Sequence, residues 1–155
     1  MRISAKVDYA LRAAVELAAH YSGPEGVPVK ADAIAEAQAI PVKFLENILQ
    51  SLRQAGLVES RRGPDGGHRL AHDPTGVSLA DVIRAIDGPL ANVGSRSPDS
   101  LDFAGAAAPL REVWVALRVN VRAVLEAVTL AQVAQNQVPD AILALTRSEG
   151  AWQRR

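Results

Sequence analysis

Arginine and glycine are concentrated in one short segment of the chain, which reads SRRGPDGGHR from position 60 to position 69. Glycine lets a backbone approach a phosphate or sugar closely, and an arginine side chain is attracted by the negative potential of a narrow DNA minor groove. A solvated turn with incidental charge is the alternative interpretation. The residues predicted to contact DNA here are Arg61, Arg62, Gly63, Gly66, Gly67 and His68.

A second set of polar residues lies at the start of a predicted helix and points away from its apolar stripe. Lysine reaches guanine or phosphate, asparagine pairs with adenine, and glutamate accepts from the cytosine amino group, each contributing about 1–3 kcal/mol of discrimination. Ordinary exposed polar residues on a surface helix are the alternative. Between positions 41 and 72 five Lys or Arg residues stand against three acids, in a chain of net charge zero. The predicted contacts on this helix are Lys43, Glu46, Asn47 and, from its last turn, Arg53.

The elements that must position these residues follow from apolar spacing. Three- and four-residue steps from Ser4 to Tyr21 predict a first helix. A short helix over 31–37 and a longer one from Pro41 to Ala55 are separated by a tight turn, and they form a helix-turn-helix. Two extended runs within 57–71 flank the Gly/Pro turn and form a hairpin. Helix, helix-turn-helix and hairpin in this order predict a winged helix, followed by a short helix from Ser78 to Ile86 with an approximate capping box.

The C-terminal part is predicted to be one long helix from Pro109 to about Val133. Its apolar stripe is too extensive to be covered by a domain this small, so pairing with a second copy of the chain is the economical arrangement. Folding back onto the same chain is the alternative. The residues predicted to form the dimer contact are Val113, Trp114, Leu117, Val121, Val124, Leu125 and Val128.

Bulk composition excludes several classes of protein. About half of the 155 residues are apolar but only 4% are aromatic, which favours an aliphatic, mainly α-helical core. No long apolar run or signal core indicates membrane insertion or export, so we expect a cytoplasmic protein. The absence of cysteine removes disulfides, thiolate metal sites and cysteine nucleophiles. No nucleophile triad, phosphate-binding loop or dinucleotide motif is present, and we therefore expect no enzyme activity.

Four segments in unbroken order carry a family resemblance: MRISAKVDYALR at the start, IPVKFL, LRQAGLV and RGPDGG. Over roughly residues 1–90 the chain closely resembles the Rrf2 family of bacterial regulators. The resemblance implies a homodimer on double-stranded DNA, with recognition helices in successive major grooves and wings in the flanking minor grooves. By position, Lys43, Phe44, Glu46 and Asn47 match the family's helix contacts and Arg62 its wing arginine. Phe44 also lies at the edge of the apolar stripe, so inward packing is the alternative for this residue.

The chain departs from the family in one loop. Many relatives hold an iron–sulfur cluster there through three cysteines, but residues 88–100 contain none, and these clusters need thiolate ligands. We therefore expect no cofactor. Asp8 matches a carboxylate ligand of some relatives but is here expected to be a surface residue, and His20, His68 and His72 lack the spacing of a metal site. Trp114 is expected to pack in a core, because aromatic residues on an apolar stripe usually do, and a platform for a ligand is the alternative.

The sequence predicts four parts: a winged helix-turn-helix domain over 1–88, a flexible loop over 89–108, a long dimerisation helix over 109–138 and a tail over 139–155. The predicted function is that of a transcriptional regulator, a repressor by resemblance, bound as a homodimer to a pseudo-palindromic operator. A small metabolite or a protein would replace the cluster as effector, and cysteine-free relatives suggest sulfur or cysteine metabolism. A winged helix that binds protein is the alternative function, although it has little use for an Arg61–Arg62 tip.

Overall fold

The first helix begins directly after Ser4, whose hydroxyl accepts a hydrogen bond from the Val7 backbone N–H at 3.1 Å. This cap confirms the predicted helix start and satisfies one of the unpaired donors of the first turn. The computed structural model describes residues 3–153 of the chain. Helix α1 spans Ala5–Ala19, and its buried face is aliphatic throughout, as the composition predicts: Val7, Ala10, Ala13, Ala14, Leu17 and Ala18.

Two further helices form the predicted helix-turn-helix. Helix α2 spans Ala31–Gln38 and ends at Ala39, which adopts a left-handed conformation with φ 50°. Helix α3 spans Val42–Gln54 and begins after Pro41. The face of α3 that packs against α1 and α2 is formed by Leu45, Ile48, Leu49 and Leu52.

A two-stranded antiparallel hairpin follows, which we call the wing. Strand β1 spans Val58–Arg61 and strand β2 spans Gly67–Leu70. The backbone of His68 also exchanges two hydrogen bonds of 2.8 Å with Val29, in the segment before α2. The segment between α1 and α2 thus ends in an extended residue that anchors the wing to the helices.

Helix α4 spans Leu79–Asp87 and closes the core on the other side of α1. The predicted capping box is confirmed: the Ser78 hydroxyl accepts from the Asp81 backbone N–H at 3.2 Å, and the Asp81 carboxylate accepts from the Ser78 backbone N–H at 2.9 Å. One aliphatic cluster joins α1, α2, α3, α4 and the wing.

The chain then leaves this core. Residues 89–109 form irregular structure with short 3₁₀ turns at Pro98–Ser100 and Gly105–Ala107, and Leu90, Pro98 and Leu101 are buried in it. Helix α5 spans Leu110–Leu125. Residues 89–125 together are called the arm below.

The prediction of one helix from Pro109 to Val133, within a helical part over 109–138, is wrong. Helix α5 ends at Leu125, and an extended Val128–Thr129 pair then bonds to the segment before α4, with the Leu79 N–H donating to the Val128 carbonyl at 2.9 Å. Thr129 and Gln132 form a second capping box that starts helix α6, Leu130–Ala134. The β-branched pair favours extended backbone, and the new cap satisfies the donors of a new helix.

The residues after α5 consequently belong to the core. Helix α6 packs against α1, and Leu130 is fully buried in the aliphatic cluster. Val128 is only 3% exposed within the protomer, so its predicted place in the dimer contact is also wrong. We call residues 3–88 and 126–136 together the winged domain.

A last short helix, α7, spans Asp140–Leu145 within the predicted tail. Within residues 3–153, no helix is both long and apolar enough to cross a bilayer. The residues of the predicted bounds that lie outside the described part of the chain are Met1, Arg2, Arg154 and Arg155.

Candidate nucleic-acid interface

Helix α3 presents a polar side to solvent, opposite its buried aliphatic face. Lys43, Glu46 and Asn47 are all exposed, as the helical spacing predicts. The Asn47 amide donates only a long hydrogen bond, 3.3 Å, to the Lys43 carbonyl of its own helix. That weak bond leaves the amide free to exchange it for a bond to a base edge.

Phe44 does not enter the core. Its side chain is 56% exposed, and its ring meets the edge of Tyr9 with the ring centroids 6.1 Å apart. The inward packing that the sequence left open is thereby excluded, and Phe44 stands with the polar residues on the first turns of α3. An exposed aromatic ring there can contact a thymine methyl group or a sugar.

Gln50 is a residue of this surface that the sequence reasoning missed. It is exposed and lies one helical turn beyond Glu46 and Asn47, on the same side of α3. Glutamine, like asparagine, can pair bidentately with adenine. The signal was available, because residues four and three positions apart on a helix share a face.

The tip of the wing is a tight turn that projects two arginines. The Gly66 N–H donates to the Gly63 carbonyl at 3.0 Å, and Gly63 adopts φ +106°, which disfavours other residue types. Arg61 and Arg62 are exposed. Within the described part of the chain neither guanidinium group forms an ion pair or side-chain hydrogen bond, so both are available to phosphate.

Glycine is required at positions 66 and 67 by the packing of the wing itself, whether or not these residues contact DNA. A Cβ atom on Gly66 would lie 2.3 Å from the Arg61 carbonyl oxygen, and one on Gly67 would lie 2.5 Å from the Val29 carbonyl oxygen. Both neighbours are backbone atoms, which cannot move aside cheaply. The turn of the wing therefore needs glycine at position 66, and close approach of the wing to the segment before α2 needs glycine at position 67.

His68 and Arg53 lie where the wing meets α3. Together with Glu46 and Gln50 they help to line a cavity of about 280 Å³ between α3 and β2. The Ser60 hydroxyl lies 2.9 Å from Nδ1 of the His68 ring. Burial lowers the pKa of His68, and the positive charge of Arg53 lowers it further, so both favour the neutral form of the ring. The structure brings these residues together where β2 faces α3, whereas Arg61 and Arg62 lie at the turn of the wing.

Helix α5 exposes the apolar stripe that the sequence assigned to a dimer contact. No residue of this 16-residue helix is buried in the protomer. Val113 is 54% exposed, and the remaining members are half-buried: Trp114, Leu117, Val121, Val124 and Leu125. Trp114 therefore lies on this stripe and outside the core of the protomer.

Known bacterial regulators are similar to this chain over most of its length. Residues 3–136 match the profile of the Rrf2 family, described as "Iron-dependent Transcriptional regulator". The chain belongs to the Rrf2 family. It is 48% identical over 145 residues to a Mycobacterium tuberculosis (strain H37Rv) protein named as an HTH-type transcriptional regulator, Rv1287, covering 94% of this chain and 88% of that one. It is 35% identical to the regulator CymR of Bacillus subtilis over 134 residues, covering 86% and 90% of the two chains.

Solved structures agree with this assignment. CymR, described as the global cysteine regulator of B. subtilis, superposes with a TM-score of 0.73 at 33% identity, over 88% of this chain and 98% of that one. T. potens IscR superposes with a TM-score of 0.70 at 33% identity, over 91% and 90% of the two chains. The mainly α winged-helix fold is confirmed, and the protein is a DNA-binding transcriptional regulator.

The iron–sulfur cluster of many Rrf2 proteins does not fit this chain. Residues 88–108 offer serine hydroxyls and carboxylates but no thiolate, and two of these groups, the side chains of Ser97 and Asp99, already accept hydrogen bonds from Arg118. Asp8, at the position of a carboxylate ligand in some relatives, pairs with Arg12 at 3.1 Å on the exposed side of α1. No group of three or more His, Asp or Glu side chains within residues 3–153 is arranged to hold a metal ion.

Proposed function

We propose that this protein acts in the bacterial cytoplasm as a homodimeric repressor that binds a pseudo-palindromic operator without catalysis and without an iron–sulfur cluster. The observation that carries the proposal is helix α5, which has no buried residue although it carries a continuous apolar stripe. Exposed apolar surface of this extent marks an association site. Intramolecular cover by the tail is the alternative, but α7 also leaves Leu143 and Leu145 exposed.

A second copy on α5 would give the assembly two-fold symmetry. Two recognition helices and two wings then face one duplex, and their half-sites lie about one helical turn apart. On this proposal α3 enters the major groove with Lys43, Phe44, Glu46, Asn47 and Gln50, while Arg62 and Arg61 enter the flanking minor grooves. Glu46 would oppose phosphate and therefore has to face a base amino group.

The division of labour between helix and wing follows from their chemistry. The wing has charge but little hydrogen-bonding variety, so it supplies affinity that depends on salt. The exposed side of α3 carries an amide, an amine and a carboxylate, so it supplies base discrimination. Arg53 and His68, between α3 and β2, would hold the recognition helix and the wing at a fixed spacing.

Control of sulfur or cysteine metabolism is the pathway that the comparisons favour. The similarity to CymR, a protein described as a global cysteine regulator, supports it, and the lack of thiolates in the arm excludes the cluster as the signal. An effector that binds the arm would change the spacing of the two recognition helices.

Selection of genomic fragments by the purified chain tests the proposal. We expect enrichment of a sequence with two-fold symmetry, upstream of genes for sulfur compounds. Failure to prefer any duplex over random competitor would contradict operator recognition, and an enriched site without symmetry would contradict the dimer.

The wing is tested on the selected site by Arg62→Ala. We expect weaker binding and a salt slope reduced by about one, since one phosphate contact is lost. Arg147→Ala, which removes an exposed arginine after α7, is the matched control and should leave both quantities unchanged. Unchanged binding by the Arg62 variant would favour a winged helix that binds protein.

A further inference from the structure

A small cavity lies between the loop that follows α4 and helix α5. Its volume is about 210 Å³. Three arginines from two helices converge on it, and an amide and a hydroxyl from the loop complete its polar lining. The residues that surround it are Arg84, Pro89, Leu90, Asn92, Ser97, Arg118 and Arg122. No acidic residue is among them.

The arginine side chains form ion pairs with carboxylates that do not line the cavity. Arg84 bonds to Asp81 at 3.3 Å and also to Glu126, and the Arg122 Nε donates to Glu126 at 3.0 Å. Hydrogen bonds from Arg84 and Arg122 lower the pKa of Glu126, which keeps the anchoring charge present at neutral pH. Guanidinium groups fixed in this way lose little side-chain freedom when they bind a ligand.

Arg118 is fixed in the same way by the loop. Its Nη1 donates to the Ser97 hydroxyl at 2.7 Å and to the Asp99 carboxylate. The pKa of Asp99 is lowered to about 2, first by the Ser97 hydrogen bond and then by Arg118, so this carboxylate is ionised as well. The loop and α5 are joined here by charged contacts, in addition to the burial of Pro98 and Leu101 in the arm.

One donor in this network has no acceptor. The Nε of Arg118 is buried and, within the described residues, makes no hydrogen bond. A buried donor without a partner costs about 1–3 kcal/mol, and in native proteins it commonly marks a bound water or ion. The cavity is therefore lined by three arginines, one of which has a buried N–H without an acceptor.

We propose that this cavity binds a small oxyanion: a carboxylate, or a tetrahedral sulfate or phosphate group. Oxyanions accept bidentate hydrogen bonds from guanidinium groups, and their several oxygens match a lining made of donors. The volume admits a small anion or the head of a larger one and is below the range for a drug-sized ligand. Anion binding is independent of the function proposed above; a role as effector site rests on that function.

Isothermal titration of the full-length chain without DNA tests the site. Sodium sulfate, sodium phosphate and sodium acetate are titrated separately at constant ionic strength, with sodium chloride as reference. We expect saturable binding of one anion per protomer for at least one of the three, and the order of affinity identifies the head group. If the heats of all three titrations fail to saturate, or equal those of the chloride titration, the proposed anion site is wrong.

Arg122→Gln is the variant that assigns the binding to this cavity. Its side chain is half exposed, so the substitution leaves the fold intact, and we expect at least a tenfold loss of anion affinity. Arg111→Gln is the matched control: Arg111 lies on the same helix, donates to the Asp99 backbone carbonyl and does not line the cavity. Equal affinity in wild type and the Arg122 variant would overturn the assignment.

The effector role has a separate measurement. Operator affinity is compared with and without saturating anion at fixed ionic strength, in wild type and in Arg122→Gln. A change that occurs only in the wild type supports control through the arm. An unchanged operator affinity alongside saturable anion binding would overturn the effector role and leave the site standing.

Discussion

The winged domain and the arm are held together by different forces. In the winged domain an aliphatic cluster from α1, α2, α3, α4, the wing and α6 is buried, and each helix contributes a nearly uniform apolar face. In the arm, α5 buries no residue, and the loop is attached to it by Arg118, Ser97 and Asp99.

The winged domain has a complete apolar core within one chain, whereas the arm does not. Burial of apolar area is the main stabilising term of a fold, and the winged domain obtains it from its own residues. The arm leaves its apolar stripe at best half-buried and adds charge pairs between its loop and α5, which contribute little when exposed. We infer that the winged domain folds by itself and that the arm acquires its final order from a second copy or a ligand.

The largest expected effect is on association through the arm. Val113→Glu places a charge in the apolar stripe of α5, and desolvation of an unpaired carboxylate costs several kcal/mol, so we expect at least about a hundredfold weaker dimer by sedimentation. The protomer should stay folded, since Val113 is 54% exposed.

Val119→Glu is the matched control for this variant. Val119 is 59% exposed on the same helix, but six residues later and hence on a different face. A monomer produced by both substitutions, or by neither, would contradict the stripe as the contact.

A second substitution tests where the winged domain ends. Leu130→Ala should lower the free energy of unfolding by about 2–5 kcal/mol, because Leu130 is fully buried in the cluster. Leu145→Ala, at an exposed position of α7, should cost little in the same urea titration. Equal effects of the two changes would place α6 outside the core.

The junction between arm and core is tested by its cap. Thr129→Ala removes the hydroxyl that accepts from the Gln132 backbone N–H, and we expect a loss of about 1 kcal/mol in unfolding free energy. Thr129→Ser keeps the hydroxyl and should retain most of the stability. A serine variant as unstable as the alanine variant would show that the cap is unimportant.

The smallest effect is one of pH on the winged domain. Since burial lowers the pKa of His68 below 6.5, the unfolded chain binds the proton more readily than the folded one. The stability held above about pH 6.5 is therefore lost on acidification. We expect His68→Gln to lose less stability than wild type between pH 8 and pH 5.5, by thermal unfolding; parallel curves would contradict this.

The winged domain was predictable because its signals are local. Helical apolar spacing gave α1 and α3, the caps at Ser4 and Ser78 gave two helix starts, and the Gly/Pro turn gave the wing. The polar side of α3 followed from the same periodicity, although Gln50 was missed. The contacts of these residues with DNA remain predictions.

The features that sequence reasoning did not find depend on distant partners. The apolar run continues past Leu125, so periodicity alone extended the helix, and only the Thr129 and Gln132 capping box shows the break. Val29 is extended because it pairs with His68, far along the chain. Phe44 lies at the edge of the apolar stripe, so the sequence could not predict whether its side chain is buried. Its exposure depends on how α1 packs against α3.

Because the chain leaves the winged domain after α4 and re-enters it at the bridge between Thr129 and Ser78, the arm is an insertion with both ends fixed in one domain. Insertions between closely anchored points tolerate changes in length and composition without loss of the host fold. The arm can thus change its residues and its chemistry among members of a family, while the winged domain keeps its core and its geometry.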